Sequence, residues 1–503
     1  MIPILSVEQV RKTDEYAINT IGVPSIVLME NAANFAFRKI KKIARKHKID
    51  NKSKAILLCG SGNNGGDGWA LARLMLNDFD VRIVSIAQID KMSSESKINY
   101  SAFKYLSDDK IIQVNDDKDL DGINWNADII IDALIGVGGS EAIRGKSAII
   151  LKSLSEIKTL KIAIDVPTGL NADSGEAFEY CFVADYTITM FAVKKGMLIK
   201  SGHSKCGKIL TANLGVPNIA NSFAKTFAIE HEDLKDIIPT RNRISSKFDY
   251  GKVAIIAGSG KYPGAAALSA NAAVKSGAGL VYLFSTNFHH YLLPEIIQEK
   301  LTPTKDKTAI ALSNLSELVE KCSNMDSIVI GPGLSNHPET IELVRQLIEQ
   351  LPSEIPIIID ADGINAINMN SKLRKNIVLT PHSGEFARLI NLNRAEVQDN
   401  YLELCGTWAT KLDCILYLKY VPSLASDGVT EYWNLGGNPG MASGGMGDVL
   451  SGIIGAMLAL KIEPFKAVAI AAYIHSFAGD LYASEYNQTS LTAESIIDML
   501  KYV

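Results

Sequence analysis

The sequence predicts an α/β protein of two parallel-sheet domains. Three observations predict it. Short apolar runs of strand length recur along the chain, followed by glycine-bearing turns and then by helical stretches. In the first half, two such runs end in an aspartate beside glycine, at Asp132 and Asp165. In the second half, residues 438–452 set Gly444, Gly445, Gly447 and Asp448 against the start of an apolar helix. In an open parallel sheet, the C-terminal strand ends form the crevice that takes ligands.

Bulk properties bound the reading. At 503 residues the chain is long for one domain. Its 47% hydrophobic and 21% charged residues describe an ordinary globular protein. A net charge of -4 gives no support for a nucleic-acid partner, and the basic run 39–48 reads as the solvated face of a helix. The six cysteines are scattered without a Cys-x-x-Cys pair, which indicates neither a disulfide framework nor a zinc site. No apolar run reaches membrane-spanning length, and the N-terminus lacks a signal-peptide core, so the expected location is the cytoplasm and no membrane partner is expected.

Taken in order, Ser6 to Gln9 has the spacing of a capping box and starts a helix to about Thr20. Pro24 fits a first helical position, with a second helix to about Lys46. Residues 55–59 read as a buried strand. A loop over 60–68 follows, with Asn63, Asn64, Gly65, Gly66 and Asp67, and Trp69 opens the next helix. Strand, glycine loop and helix is the arrangement that cradles phosphates in dinucleotide-binding folds, although the spacing here is not Gly-x-Gly-x-x-Gly. Asn and Asp among the glycines suit a ligand or a hard cation, and equally a tight turn. The strands at 128–131 and 160–164 then deliver Asp132 and Asp165. Residues 210–214 read as the last strand of this half, and the domain boundary is placed near 220 with a connection to about 250.

The second half repeats the alternation. Residues 252–257, 327–330, 357–359 and 378–380 read as strands of a second parallel sheet. They lead into a glycine loop at 258–264, Gly331-Pro332-Gly333, Asp360-Ala361-Asp362-Gly363 and Pro381-His382-Ser383-Gly384-Glu385. His382 before a helix start fits a structural role as well as a ligand-facing one. The helix of the 438–452 stretch is expected from Val449 to Leu460. One glycine and a capping aspartate would make a turn. Three glycines with Asp448 go further: bare amides converge on an anion, with a carboxylate placed to take a proton from a phosphoryl acceptor. A helix N-terminus is expected to depress the Asp448 pKa, leaving it ionised and weakly basic.

Residues 441–452, Met-Ala-Ser-Gly-Gly-Met-Gly-Asp-Val-Leu-Ser-Gly, resemble the phosphate-binding turn of the ribokinase-like superfamily and, within it, the ADP-dependent NAD(P)H-hydrate dehydratases. The Gly-Pro-Gly, Asp-Ala-Asp-Gly and Pro-His-x-Gly-Glu turns recur there in the same order. The Asn63-Asn64-Gly65-Gly66-Asp67-Gly68 stretch and the turns at 132–138 and 165–169 resemble the NAD(P)H-hydrate epimerase domain. The resemblance spans nearly the whole chain. It implies a Rossmann-like epimerase domain over 1–220 and a ribokinase-like dehydratase domain over 221–503.

The same resemblance implies site residues. In the first domain, Asn63, Asn64, Gly65, Gly66, Asp67, Gly136, Val137, Gly138, Gly139, Ser140, Glu141, Ala142 and Asp165 would contact the hydrated nucleotide. Asn64, Asp132 and Thr168 would bind potassium, and Lys194 matches a family lysine near that pocket. In the second, Ala265, Gly333, His382 and Asp448 would contact the hydrated nicotinamide nucleotide, NADHX or NADPHX. Gly447 and the segment Lys419, Tyr420, Val421, Pro422 and Ser423 would contact the adenine nucleotide, with Mg2+ accompanying ADP. Two positions depart from the pattern: Val137 replaces the usual Thr, and Tyr420 replaces a Gly. Asp448 is the candidate base, with the amides of Gly444, Gly445 and Gly447 stabilising the phosphoryl charge. Asp165 and Lys194 are alternative acid–base candidates for the epimerase. A small-molecule kinase that leaves a stable phosphorylated product, and a first domain that binds nucleotide without catalysis, are the other readings. A symmetric homo-oligomer is the expected assembly.

Overall fold

The computed structural model describes residues 1–139 and 142–503. The chain forms two compact units, Ile2–Lys225 and Thr226–Val503. The sequence places this division near 220.

The first unit contains strands β1 (Ile2–Leu5), β2 (Lys54–Cys59), β3 (Asp80–Ser85), β4 (Ile111–Gln113), β5 (Ile129–Ala133), β6 (Leu160–Ile164), β7 (Tyr186–Met190), β8 (Val193–Lys194) and β9 (Lys208–Ala212). Seven of them make one parallel sheet in the order β4-β3-β2-β5-β6-β7-β9. Its strands are near-continuous apolar runs because both faces are covered. Along β2, Ala55, Leu57 and Cys59 enter one core, while Ile56 and Leu58 enter the other. The strand order reverses between β2 and β5, so the crevice opens over their C-terminal ends. The capping box at Ser6 forms as expected and starts a helix over Val7–Asn19.

The second unit contains β10 (Thr226–Ala228), β11 (Lys252–Ile256), β12 (Leu280–Ser285), β13 (Ile297–Lys300), β14 (Ser327–Ile330), β15 (Ile357–Ile359), β16 (Ile377–Leu379), β17 (Ile415–Leu418), β18 (Ser423–Ser426) and β19 (Glu431–Asn434). Their order is β13-β12-β11-β14-β15-β16-β17-β18-β19-β10. The pairs from β13 to β17 are parallel, but β17, β18 and β19 run antiparallel, so the sheet is mixed rather than purely parallel. Residues 419–422 are too few for a crossover, which forces β18 to turn back beside β17. The helix Met446–Ala459 packs Val449, Ile453 and Ala456 into the core beneath Val253, Ile255 and Val329.

Two helix starts differ from the sequence reading, for one reason. The helix expected from Trp69 spans Asn63–Met75, and the one expected from Val449 spans Met446–Ala459. Glycines near both starts read locally as loop, yet packing recruits them into the first turns. Asn63, Asn64 and Asp67, like Gly447 and Asp448, are therefore helical residues.

Candidate active sites

In the first unit, the ends of β2, β5 and β6 bring the expected residues together. Asp132, at the end of β5, is fully buried. Its carboxylate accepts from the Thr168 amide (2.7 Å), the Thr168 hydroxyl (2.8 Å) and the Leu134 amide (3.1 Å). No basic side chain pairs with it among the described residues, and burial pushes its carboxyl up to about 6 despite those bonds. Asn64 closes the same corner. With its amide oriented to satisfy both ends, it donates to the Ile164 carbonyl (3.1 Å) and accepts from the Gly136 amide (3.3 Å). A buried carboxylate, a hydroxyl and an amide oxygen without a counter-charge are chemistry suited to a monovalent cation.

Asp165 sits just past β6 with a positive φ of 67°. Its Oδ1 accepts from Lys194 Nζ at 2.6 Å, and its Oδ2 from the Val137 amide at 3.2 Å. The Val137 backbone thus anchors Asp165, a role that needs no hydroxyl at position 137. Lys194 is fully buried; its ammonium also donates to the Thr189 hydroxyl (2.7 Å) and the Met190 carbonyl (2.9 Å). Burial and the nearby Asp165 hold the Asp67 carboxyl well above the usual carboxylate range, and Asp14 is raised by the same two causes. Sequence reasoning missed Asp14; it lies in the first helix, and no local pattern marks it. The expected contacts at Ser140 and Glu141 lie outside the described residues.

In the second unit, Gly445 takes φ 88°, a conformation cheap only for glycine, and turns the chain into the helix. Asp448 therefore lies in the first turn and makes no side-chain cap, contrary to the simple turn reading. Its carboxyl is raised to about 7, first by burial and next by Asp360, with Lys419 opposing. The expected depression by the helix end does not prevail. Desolvation and a like charge outweigh a terminus dipole worth typically 0.3–1 kcal/mol.

Lys419 follows β17 and donates to Asp360 Oδ1 at 2.7 Å. Burial pulls the Lys419 pKa down, but Asp360, Glu385 and Asp448 together raise it, so the group stays cationic. The amide of Lys419 donates to Pro381, and His382 and Lys419 form a parallel bridge, which joins the two motifs. His382 caps the helix Ser383–Ile390: its Nδ1 accepts from the amides of Gly384 (2.9 Å) and Glu385 (3.2 Å), and the side chain is half-exposed. Gly333, with φ 63°, packs beside Tyr262 and Ala265 at the start of the helix Pro263–Lys275. The Tyr420 ring is engaged by Tyr401, 4.7 Å between centroids. Asp360 and Ser451 were not assigned from sequence, although an aspartate ending a parallel strand was a signal for the first.

No cluster of three metal-ligating side chains occurs among the described residues. No helix among the described residues is long and apolar enough to cross a membrane.

Comparison with known proteins gives the family of each unit. The model described as NAD(P)H-hydrate dehydratase matches residues 253–501, and that of the YjeF-related protein N-terminus matches 25–196. The bifunctional NAD(P)H-hydrate repair enzyme Nnr of Moorella thermoacetica is 32% identical over 99% of this chain and 96% of that protein. Nnr of Escherichia coli is 30% identical over 99% and 93%. A crystal structure of an ADP/ATP-dependent NAD(P)H-hydrate dehydratase from Bacillus subtilis, co-crystallized with ATP/Mg2+, is 28% identical with a TM-score of 0.47, covering 55% of this chain and 96% of its own.

Proposed function

Because this chain belongs to the family of bifunctional NAD(P)H-hydrate repair enzymes, we propose that it restores hydrated NADH and NADPH through two separate chemistries, one per unit. The first unit interconverts the R and S hydrates. The second dehydrates the S form at the expense of ADP, giving AMP, phosphate and the reduced cofactor. The observation that carries this reading is Asp448, raised to about 7 and placed in the first turn of the helix Met446–Ala459 directly after the Gly444-Gly445 turn.

In the second unit, Asp448 takes the proton from the ring hydroxyl of the hydrate. The resulting oxygen attacks the terminal phosphorus of ADP, and the bond to the bridging oxygen breaks with release of AMP. The amides of Gly444, Gly445 and Gly447 and the Lys419 ammonium stabilise the charge on the transferred group. The carbon–oxygen bond then breaks, driven by the ring nitrogen lone pair, and phosphate leaves. Loss of the neighbouring ring proton restores the dihydronicotinamide. Ala265, Gly333 and His382 line the nicotinamide side, and the segment 419–423 the adenine side.

In the first unit, Asp165 is the group offered to the ring, and Lys194 holds it from beneath. Opening and reclosing the hydrate moves a proton at the ring hydroxyl, and the 2.6 Å bond to Lys194 fixes the direction of the Asp165 carboxylate that would receive it. Asn64, Asp132 and Thr168 would hold a potassium ion, supplying the positive charge that the buried Asp132 lacks.

NADH absorbance after adding ADP, ATP or neither to a mixed R/S hydrate tests the whole reading. Full recovery with ADP is expected. Recovery of only one epimer, where spontaneous interconversion is slow, would remove the epimerase from the first unit. No recovery with either nucleotide would leave the kinase reading in its place.

A further inference from the structure

Asp360 stands out as a group the mechanism above does not use. It follows β15, its side chain is 1% exposed, and both of its oxygens are taken. Oδ1 accepts from Lys419 at 2.7 Å, and Oδ2 accepts from the Ser451 hydroxyl at 2.6 Å. Ser451 lies one turn along the helix Met446–Ala459, with the Gly447 carbonyl 3.0 Å away as the alternative acceptor for its single proton. The three groups thus join β15, the end of β17 and the anion-turn helix.

The position of this carboxylate needs a reason. A site for a polyphosphate gains from positive charge, and a buried aspartate beside it works against anion binding. Gly447 shows what the arrangement achieves. A Cβ built there would lie 3.3 Å from Lys419 Nζ and 3.7 Å from Asp360 Oδ2. The glycine lets the ammonium stand against the helix start, where a transferred phosphoryl group would be met by amides and cation together. A lysine on a flexible four-carbon stem holds such a place only if something fixes it.

We propose that Asp360 is a positioning residue of the dehydratase site, which fixes the Lys419 ammonium beside Gly447 and sets a second negative charge near Asp448. This rests on the reading of Asp448 as the proton acceptor. The groups facing Asp448 are the carboxylates of Asp360, Asp362 and Glu385 and the Lys419 ammonium. His475, on the helix Pro464–Glu485, lies near Lys419 and is held neutral by burial, with its pKa lowered to about 4. Removing the Asp360 charge takes away a repulsion on ionised Asp448 and frees Lys419 to interact with it. Both changes favour the ionised carboxylate, so they shift its titration in the same direction.

Asp360→Asn in the full chain is the test, with kcat and KM for ADP measured across pH and the thermal midpoint recorded without nucleotide. The acid limb of kcat is expected to move down by about one pH unit. At the optimum, kcat is expected to fall by about ten- to a hundredfold while KM for ADP rises less. A folded variant whose acid limb stays in place, or whose kcat is within twofold of wild type, overturns the proposal. Ser451→Ala keeps every charge and removes one anchor. It is expected to lower kcat by severalfold with the acid limb unmoved, and wild-type kcat in that variant counts against the proposal even if Asp360→Asn does not fold. Asp448→Asn separates the two levels: turnover in that variant would overturn the proton-acceptor reading, whereas its loss alongside an unmoved limb in Asp360→Asn would overturn the positioning role alone.

Discussion

Each unit builds its site around one lysine–aspartate pair, and the two pairs are inverted. In the first unit Lys194 is fully buried and Asp165 is the more exposed member, with side-chain exposures of 0% and 13%. In the second, Asp360 is the buried member at 1% and Lys419 the more exposed at 22%. The bonds are nearly equal in length, 2.6 and 2.7 Å. What differs is which charge is left facing the crevice. The proposed epimerase site presents a carboxylate, and the proposed phosphoryl-transfer site presents an ammonium. The buried partner in each case supplies neutrality and a fixed direction, so a similar pairing serves opposite chemistry.

The comparison breaks most sharply at Asp448. Asp448→Asn is expected to lower ADP-dependent recovery of NADH by about 10²- to 10⁴-fold, the usual contribution of a general base, while calorimetric ADP affinity is retained. Epimerisation followed by NMR should be untouched, because Asp165, the proposed epimerase group, belongs to the other unit. Asp165→Asn should show the reverse pattern.

Next in size is the stability of the two pairs. Lys194→Met leaves Asp165 without its cation inside the unit and is expected to cost about 3–5 kcal/mol in denaturant unfolding. Lys419→Met should cost at least as much, because it leaves Asp360, the buried member of its pair, without a cation. A clearly smaller loss would contradict the inversion.

The pH dependence sharpens the same contrast. Asp448 must be ionised to accept a proton, so dehydration should fall as pH drops through about 7. Its contribution to stability runs the other way. A carboxyl raised on folding binds its proton more tightly in the native state. That contribution is full below the ordinary carboxylate pKa and is lost as pH rises through about 7. Asp132, raised to about 6, behaves alike until a cation neutralises it. Potassium at about ten times its dissociation constant should therefore stabilise the protein by about 1.4 kcal/mol, read as a thermal shift that Asp132→Asn removes. The smallest effect is expected from Tyr420→Gly. It forfeits the ring contact with Tyr401, about 0.5–1.5 kcal/mol, and should change KM for ADP less than twofold.

Much of this was legible in the chain. The two-domain α/β architecture followed from strand-length apolar runs ending in glycine turns, because both faces of a parallel sheet must be covered. The Ser6 capping box is a local hydrogen-bond pattern and formed as read. Asp132 and Asp165 could be named because strand ends in such sheets converge on a crevice, whereas the wider set of ligand contacts came from the family resemblance. Less legible were the helix starts at Asn63 and Met446, where glycine-rich composition masks a helix held by packing. The antiparallel turn from β17 to β18 was likewise hidden, since a single apolar strand does not reveal its direction relative to its neighbours.

By itself, then, the sequence determined which chemical groups exist and which turns carry them: Asp448 among its glycines, Asp165 and Asp132 at strand ends, and Lys194 and Lys419 after strands. Only the tertiary structure decided which member of each pair is buried and what that does to acidity. Asp360 meets Lys419 across 59 residues and Ser451 across 91. The helix end alone would have made Asp448 a weak base. Burial and the like charge of Asp360 raise it instead, because desolvation and charge repulsion depend on what packs around a carboxylate and not on its neighbours in the chain.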